Sequence, residues 1–201
     1  ILKGRQLGIT TISLALDLYW HFKHPGLSGT LVTHDEESRD MFRATLSMYM
    51  DGLPKEYKIP IESHNRTQLV LRNRSRMAYQ VAGTRKKGSL GRGKAITFLH
   101  STETSSYGDE EGLASLESSL AEHNPDRLYI FETTARGYNM FFDMWETSKD
   151  ARTQKAIFVG GSTSFTGSIK TRRCTKCIGM AGSPRQSVDG RGKSNNCTVW
   201  R

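Results

Sequence analysis

Cysteine is missing from most of this chain: the three present are Cys174, Cys177 and Cys197, all near the C-terminal end. A disulfide-stapled scaffold is therefore excluded for the body. Cys174-Thr175-Lys176-Cys177 has the spacing of half a zinc site. Cys197 alone, with no histidine near it, leaves that ligand set short of four. Acid is nearly absent from the same tail. Residues 160–201 hold eight Lys and Arg against the single Asp189, so this stretch supplies +7 of the formal +9 and residues 1–159 only +2. A body that balanced gives no evidence of nucleic-acid binding from charge alone. No apolar run approaches the roughly 18 residues that a membrane span needs, and no secretory leader pattern opens the chain. The first residue is Ile1, not Met, which reads as a start inside a longer protein.

What is present suits a folded domain: 36% hydrophobic and 24% charged residues over 201 positions can bury a core. Helix-like and strand-like segments alternate. Residues 10–21 place Ile12, Leu14, Ala15, Leu16, Leu18 and Tyr19 close together and predict a mostly buried helix. Residues 30–33 predict a strand, and Thr33 with Glu36 has the spacing of a capping box for a helix over 35–50. A hairpin is predicted with arms 67–71 and 77–81. A loop over 84–94 follows, with basic residues and glycines. Strands are expected at 95–99, 128–131 and 155–159, and helices at 112–122 and 138–149. This alternation predicts an α/β fold with a mainly parallel sheet flanked by helices. The pattern stops after Val159. The glycine-rich tail reads as disordered, or as a frame-shifted, non-native end.

Three segments could carry chemistry. The first is Lys3-Gly4-Arg5-Gln6-Leu7-Gly8-Ile9-Thr10-Thr11 at the start of the first helix. In the phosphate-binding pattern GxxxxGK[ST], Gly8 and Thr10 match the last glycine and the hydroxyl. Ile9 stands where that pattern has lysine, and Lys3 where it has its first glycine. Backbone N–H groups at a helix start attract phosphate, and a hydroxyl there can meet Mg²⁺. The second is the strand end Phe98-Leu99-His100-Ser101-Thr102-Glu103, laid out like a Walker B segment. Glu103 is placed to orient an attacking water, while Thr102 stands where an Asp is usual. The third is Glu132-Thr133-Thr134-Ala135-Arg136-Gly137, another strand end followed by a helix. Alone, the first also fits a glycine turn before a core helix, the second a solvated loop acid or a helix N-terminal charge, and the third an ordinary strand-to-helix turn.

Taken together and in this order, they resemble the large-subunit terminases of tailed bacteriophages. GRQLGITT (residues 4–11) is similar to their ARQLGKTT-like loop, and residues 132–137 resemble their ESTARG-like coupling motif. The resemblance spans residues 1–159 and implies a P-loop NTPase of the ASCE type that hydrolyses ATP with Mg²⁺. It implies that Lys3, Gly4, Arg5, Gln6, Leu7, Gly8, Ile9, Thr10 and Thr11 hold the nucleotide, with Arg5 or Lys3 as the phosphate cation and Thr10 on the metal. Glu103 would be the catalytic carboxylate, and Thr133 and Thr134 the coupling residues. Arg92 would act on a neighbouring subunit's site, or else face DNA or solvent. The implied partners are duplex DNA, further copies in a ring, a portal protein and a small terminase subunit. The implied setting is the cytoplasm of an infected cell. A segment ahead of the loop and a C-terminal nuclease domain are expected to be absent, so nuclease activity is not expected. A helicase, or a silent DNA-binding remnant using the basic loop and tail, are the rival readings.

Overall fold

The computed structural model describes residues 1–83, Leu90, 95–108 and 110–160. The described residues all belong to one compact unit. Arg92, the loop 84–94 apart from Leu90, the Cys174/Cys177 pair and the basic tail beyond Gly160 lie outside the described residues.

The strands are β1 (Leu2–Lys3), β2 (Ser28–Thr33), β3 (Ile61–His64), β4 (Gln68–Leu71), β5 (Arg76–Val81), β6 (Phe98–Thr102), β7 (Leu128–Thr134) and β8 (Phe158–Val159). The helices are α1 (Ile9–Lys23), α2 (Glu36–Gly52), α3 (Glu110–Glu117) and α4 (Met140–Asp150). The strands form one eight-stranded sheet in the order β3-β4-β5-β2-β6-β7-β1-β8. From β5 to β8 every pairing is parallel, and the β3–β4–β5 end is antiparallel. The sheet expected from alternating elements is thus present, extended by the hairpin.

Consecutive residues of β2 show how the layers are made. Side chains alternate across a strand, so Leu31 joins a cluster with Leu14, Leu18, Phe42, Leu46 and Met77 under α1 and α2. Val32 joins a second cluster with Ile96, Leu99, Leu113 and Leu116 under α3. β2 also shows why Gly29 is glycine: a Cβ there would sit 2.1 Å from His21 Nε2.

Several elements differ from expectation. The buried face of α1 is Ser13, Leu14, Asp17, Leu18 and His21, while Ile12 is 66% and Tyr19 54% exposed. Leu14 and Leu18 thus face inward as expected, but beside them a polar row at i, i+4, i+8 is buried too: Ser13 and Asp17 meet partners on the sheet, and His21 Nδ1 lies 2.7 Å from the Asp17 carbonyl of its own helix. Thr33 does not cap α2. Asp35 does, its Oδ1 accepting from Ser38 N at 2.6 Å, and Thr33 Oγ1 donates to the Asp35 carbonyl instead. β6 lies three residues later than expected and is buried throughout, because His100, Ser101 and Thr102 find polar partners. β7 runs on through Thr134. α3 stops at Glu117, five residues before its expected end. β3 has no counterpart in the sequence reading; it pairs with β4 through an irregularity between Ile61 and Ser63.

Candidate active site

The turn from β1 into α1 is built on two left-handed residues, Gln6 (φ 58°) and Gly8 (φ 70°). Open space surrounds the position a Gly8 Cβ would take, so glycine is favoured there by backbone conformation, not by crowding. No side chain caps α1, and it has no acid in its first turn. By contrast, α2, α3 and α4 all carry acids in their first turns. The amino end of α1 thus keeps unpaired N–H groups and its positive field.

Three parallel strands end beside this turn. Lys3 at the end of β1 is level with Thr134 of β7, and Glu132 of β7 is level with Thr102 of β6. Lys3 Nζ donates to Thr10 Oγ1 at 3.0 Å and to Glu103 Oε1 at 3.1 Å. Thr134 Oγ1 donates to the other carboxylate oxygen of Glu103 at 3.1 Å. The end of β1 thus brings an ammonium onto the Thr10 hydroxyl in the first turn of α1. Glu103 itself holds φ 49°, ψ 41°, a left-handed conformation uncommon outside glycine. The carbonyl of Glu103 accepts from Ser106 N at 2.8 Å.

Behind this mouth lies a buried charge row. Asp17 Oδ2 meets His100 Nδ1 at 2.6 Å, and His100 Nε2 faces Glu132 Oε1 at 3.5 Å, with all three side chains fully buried. Ser13 Oγ donates to Glu132 Oε2 at 3.4 Å. Burial disfavours charge on His100, but Asp17 and Glu132 outweigh it and push the imidazole up to about 9. Burial acts upward on Glu132 too, yet His100, Thr10 and Lys3 together hold its carboxyl below the usual range. Burial pushes Asp17 up, against the pull of His100.

The expected site residues separate into groups. Lys3, Thr10, Glu103 and Thr134 meet. Gly4 donates its N–H to Val159 O at 2.9 Å, which seats the loop on β8. Arg5, Gln6 and Gly8 are exposed on the loop and Thr11 in the first turn of α1, and Leu7 and Ile9 are half-buried. Thr133 does not reach the mouth. It is fully buried and bonded to Ser105 Oγ at 2.5 Å, on the strand face opposite Thr134. Thr102 Oγ1 donates to Val32 O at 3.4 Å. Asp17, His100 and Glu132 were not singled out as site residues. The signal that could have found them is the i, i+4, i+8 row Ser13, Asp17, His21, together with a histidine inside an apolar strand. Among the described residues, no cluster of three or more His, Cys, Asp and Glu side chains could hold a metal ion. No described helix is long and apolar enough to cross a membrane.

No family model and no curated protein sequence matches this chain. Its backbone is similar to the solved large terminase ATPase domain of Thermus phage P74-26. The TM-score is 0.60 at 16% identity, over 72% of this chain and 62% of that one. An arginine-to-alanine variant of the same domain matches with a TM-score of 0.60 at 15% identity, over the same shares. The chain thus spans 62% of the length of the domain it matches. Its fold is that of a phage large terminase ATPase domain, a P-loop NTPase-like sheet flanked by helices.

Proposed function

We propose that this chain is the ATP-hydrolysing part of a motor that drives duplex DNA into a viral capsid, as a terminase large subunit would. The observation that carries the reading is the Lys3 ammonium, shared between Thr10 and Glu103 at the uncapped start of α1. A cation, a hydroxyl, free helix N–H groups and a carboxylate at one mouth are the parts that phosphoryl transfer needs.

Mg²⁺ is commonly held by one or two protein oxygens together with substrate phosphates, and keeps several waters. Thr10, with Glu103 beside it, fits that modest demand; Thr102, turned to Val32, adds nothing. When bound, the ion would neutralise charge on the β- and γ-phosphates. The chain's own residues do the rest. Backbone N–H groups of residues 5–10 cradle the phosphates, with Arg5 and Gln6 exposed beside them. The triphosphate draws the Lys3 ammonium away from Glu103. Glu103, still held by Thr134, then orients water for in-line attack. An arginine from a neighbouring copy, with Arg92 the candidate, stabilises the charge that develops. A homo-oligomeric ring is therefore part of the reading, as are DNA held by its backbone, a portal and a small subunit.

Calorimetry with Mg-ATP is the test. The full chain should bind with a Kd of about 1 μM to 1 mM, and Lys3→Ala and Thr10→Ala should each weaken binding about tenfold or more. Folded protein that ignores nucleotide, yet binds DNA with a steep salt dependence, would sink the proposal in favour of a silent remnant.

A further inference from the structure

We propose that Ser105 and Thr133 are positioning residues for Glu103: a hydroxyl clamp between the turn after β6 and the end of β7 fixes where the Glu103 carboxylate points. The inference rests on the ATPase reading above and goes beyond it, to a serine outside the three motif segments and a threonine on the strand face opposite Thr134.

The pairing of β6 with β7 is regular as far as Thr102, level with Glu132. Glu103 then leaves the ladder in its left-handed conformation and opens the short turn Thr104–Ser106. Such a conformation persists where its surroundings over-determine it. Thr102 anchors one side of Glu103 through the ladder. On the other side Ser105 returns to β7, where its backbone N–H donates to Thr133 Oγ1 at 3.3 Å and its hydroxyl meets the Thr133 hydroxyl at 2.5 Å. Asn139, the cap of α4, donates to the Ser105 carbonyl at 3.5 Å and holds the turn from that side too.

These bonds close a ring. From Glu103 the chain runs to Ser105, across the hydroxyls to Thr133 and the Thr134 carbonyl, and from Thr134 Oγ1 back to Glu103 Oε2 at 3.1 Å. Each hydroxyl has one proton and two lone pairs. When Ser105 gives its proton to the Thr134 carbonyl, at 3.1 Å, Thr133 gives its own to Ser105. When Thr133 gives its proton to that carbonyl, also at 3.1 Å, Ser105 gives its own to Thr133. Either arrangement uses both protons, so the clamp does not depend on one proton position. The ring also has a task that Lys3 cannot share. Lys3 holds the other carboxylate oxygen, but in the reading above a triphosphate draws that ammonium away. The ring is then what keeps the carboxylate aimed.

The test separates kcat from KM for Mg-ATP hydrolysis by the full chain, with Mg-ATP affinity read by calorimetry and folding by thermal melts. The variants are Ser105→Ala, the isosteric Thr133→Val and the conservative Thr133→Ser. Leu69→Ala, a buried core residue of β4, controls for general loosening. Ser105→Ala and Thr133→Val should each lower kcat about fivefold or more and move KM and affinity less than about twofold. Thr133→Ser keeps the hydroxyl and should hold kcat within about twofold of wild type. Leu69→Ala should lower the melting temperature and leave kcat within about twofold. Should Thr133→Val fail to fold, Ser105→Ala carries the test, since Ser105 is only half-buried. Wild-type kcat in the folded Ser105→Ala and Thr133→Val overturns the clamp and leaves the ATPase reading standing. So does a matched loss of kcat and affinity, which would put the two hydroxyls in nucleotide binding, and so does a Thr133→Ser as slow as Thr133→Val. A wild-type chain that binds Mg-ATP without hydrolysing it overturns the role of Glu103 and the clamp with it. A wild-type chain that binds no Mg-ATP overturns the clamp and the ATPase reading together.

Discussion

Glu103 is the residue on which the proposed chemistry turns, and its backbone is held in a conformation that costs about 1 kcal/mol or more for a residue with a long side chain. Lys3 and Thr134 each take one of its oxygens, and Ser106 N takes its carbonyl. A side chain gripped from two sides aims one carboxylate at one place. Glu103→Gln keeps the shape and most of the hydrogen bonds. It should lower single-turnover ATP hydrolysis by about 100-fold or more while Mg-ATP affinity moves by less than about threefold. Equal loss of both would mean that Glu103 binds nucleotide and does not activate water. Gly29 makes a separate prediction. Its Cβ position lies on the His21 imidazole, and that ring is boxed in by Phe98, with centroids 4.7 Å apart. Gly29→Ala should cost about 2–3 kcal/mol in urea unfolding, as overpacking a full interior does.

At the scale of elements, α1 separates what the sequence made legible from what it did not. The helix was readable from its length and the glycine turn before it, and Leu14 and Leu18 are buried as expected, but the rest of its buried face was not readable. Ile12, Leu16 and Tyr19 look like a core stripe, yet they are exposed, whereas Ser13, Asp17 and His21 face the sheet. Hydropathy cannot show that Ser13 and Asp17 will be paired in the interior, because their partners, Glu132 and His100, sit more than 80 residues away. The same blindness cut short β6 and β7, whose polar C-terminal residues looked like loop. The hairpin β4–β5 was legible because its arms and turn are local, and β3 was not, because its Ile61-Glu62-Ser63-His64 run carries little apolar signal. The energetic consequence is an inverted pattern of tolerance along one helix. Ile12→Ser and Tyr19→Ser should each cost less than about 0.5 kcal/mol. Asp17→Ala strands a buried imidazolium and should cost about 3–5 kcal/mol, all three read by chemical denaturation.

For the whole molecule, the strand order brings the ends of β1, β7 and β6 to one place, so that residues near positions 3, 103 and 134 meet. Motif order along the sequence pointed to those three segments. Only the sheet assigns Thr134 to the mouth and Thr133 to the opposite face. The buried row also leaves a global signature in pH. The His100 pKa is raised on folding to about 9, so its contribution is complete below about pH 6.5 and is lost as pH rises through 9. The groups facing it are Asp17, whose raised carboxyl acts in the same sense, and Glu132, whose lowered one matters only in acid. His21 is lowered chiefly by burial, and its loss of stability falls on the acid side. Unfolding free energy should therefore fall by up to about 3 kcal/mol between pH 6.5 and 9; a flat profile across that window would show that His100 is neutral in the folded chain.

β1 brings Lys3 to the mouth. Its seat against β8 is made by Leu2 N on Ile157 O and Gly4 N on Val159 O, both at 2.9 Å. β8 is the last strand of the sheet order among the described residues, and a tether to an edge strand opens more often than the centre of the sheet, so these two amides should exchange with deuterium early. Nucleotide that engages the Lys3 ammonium would hold the tether shut. The exchange rate at Leu2 and Gly4 thus becomes a built-in occupancy gauge, readable by mass spectrometry without any label on the ligand.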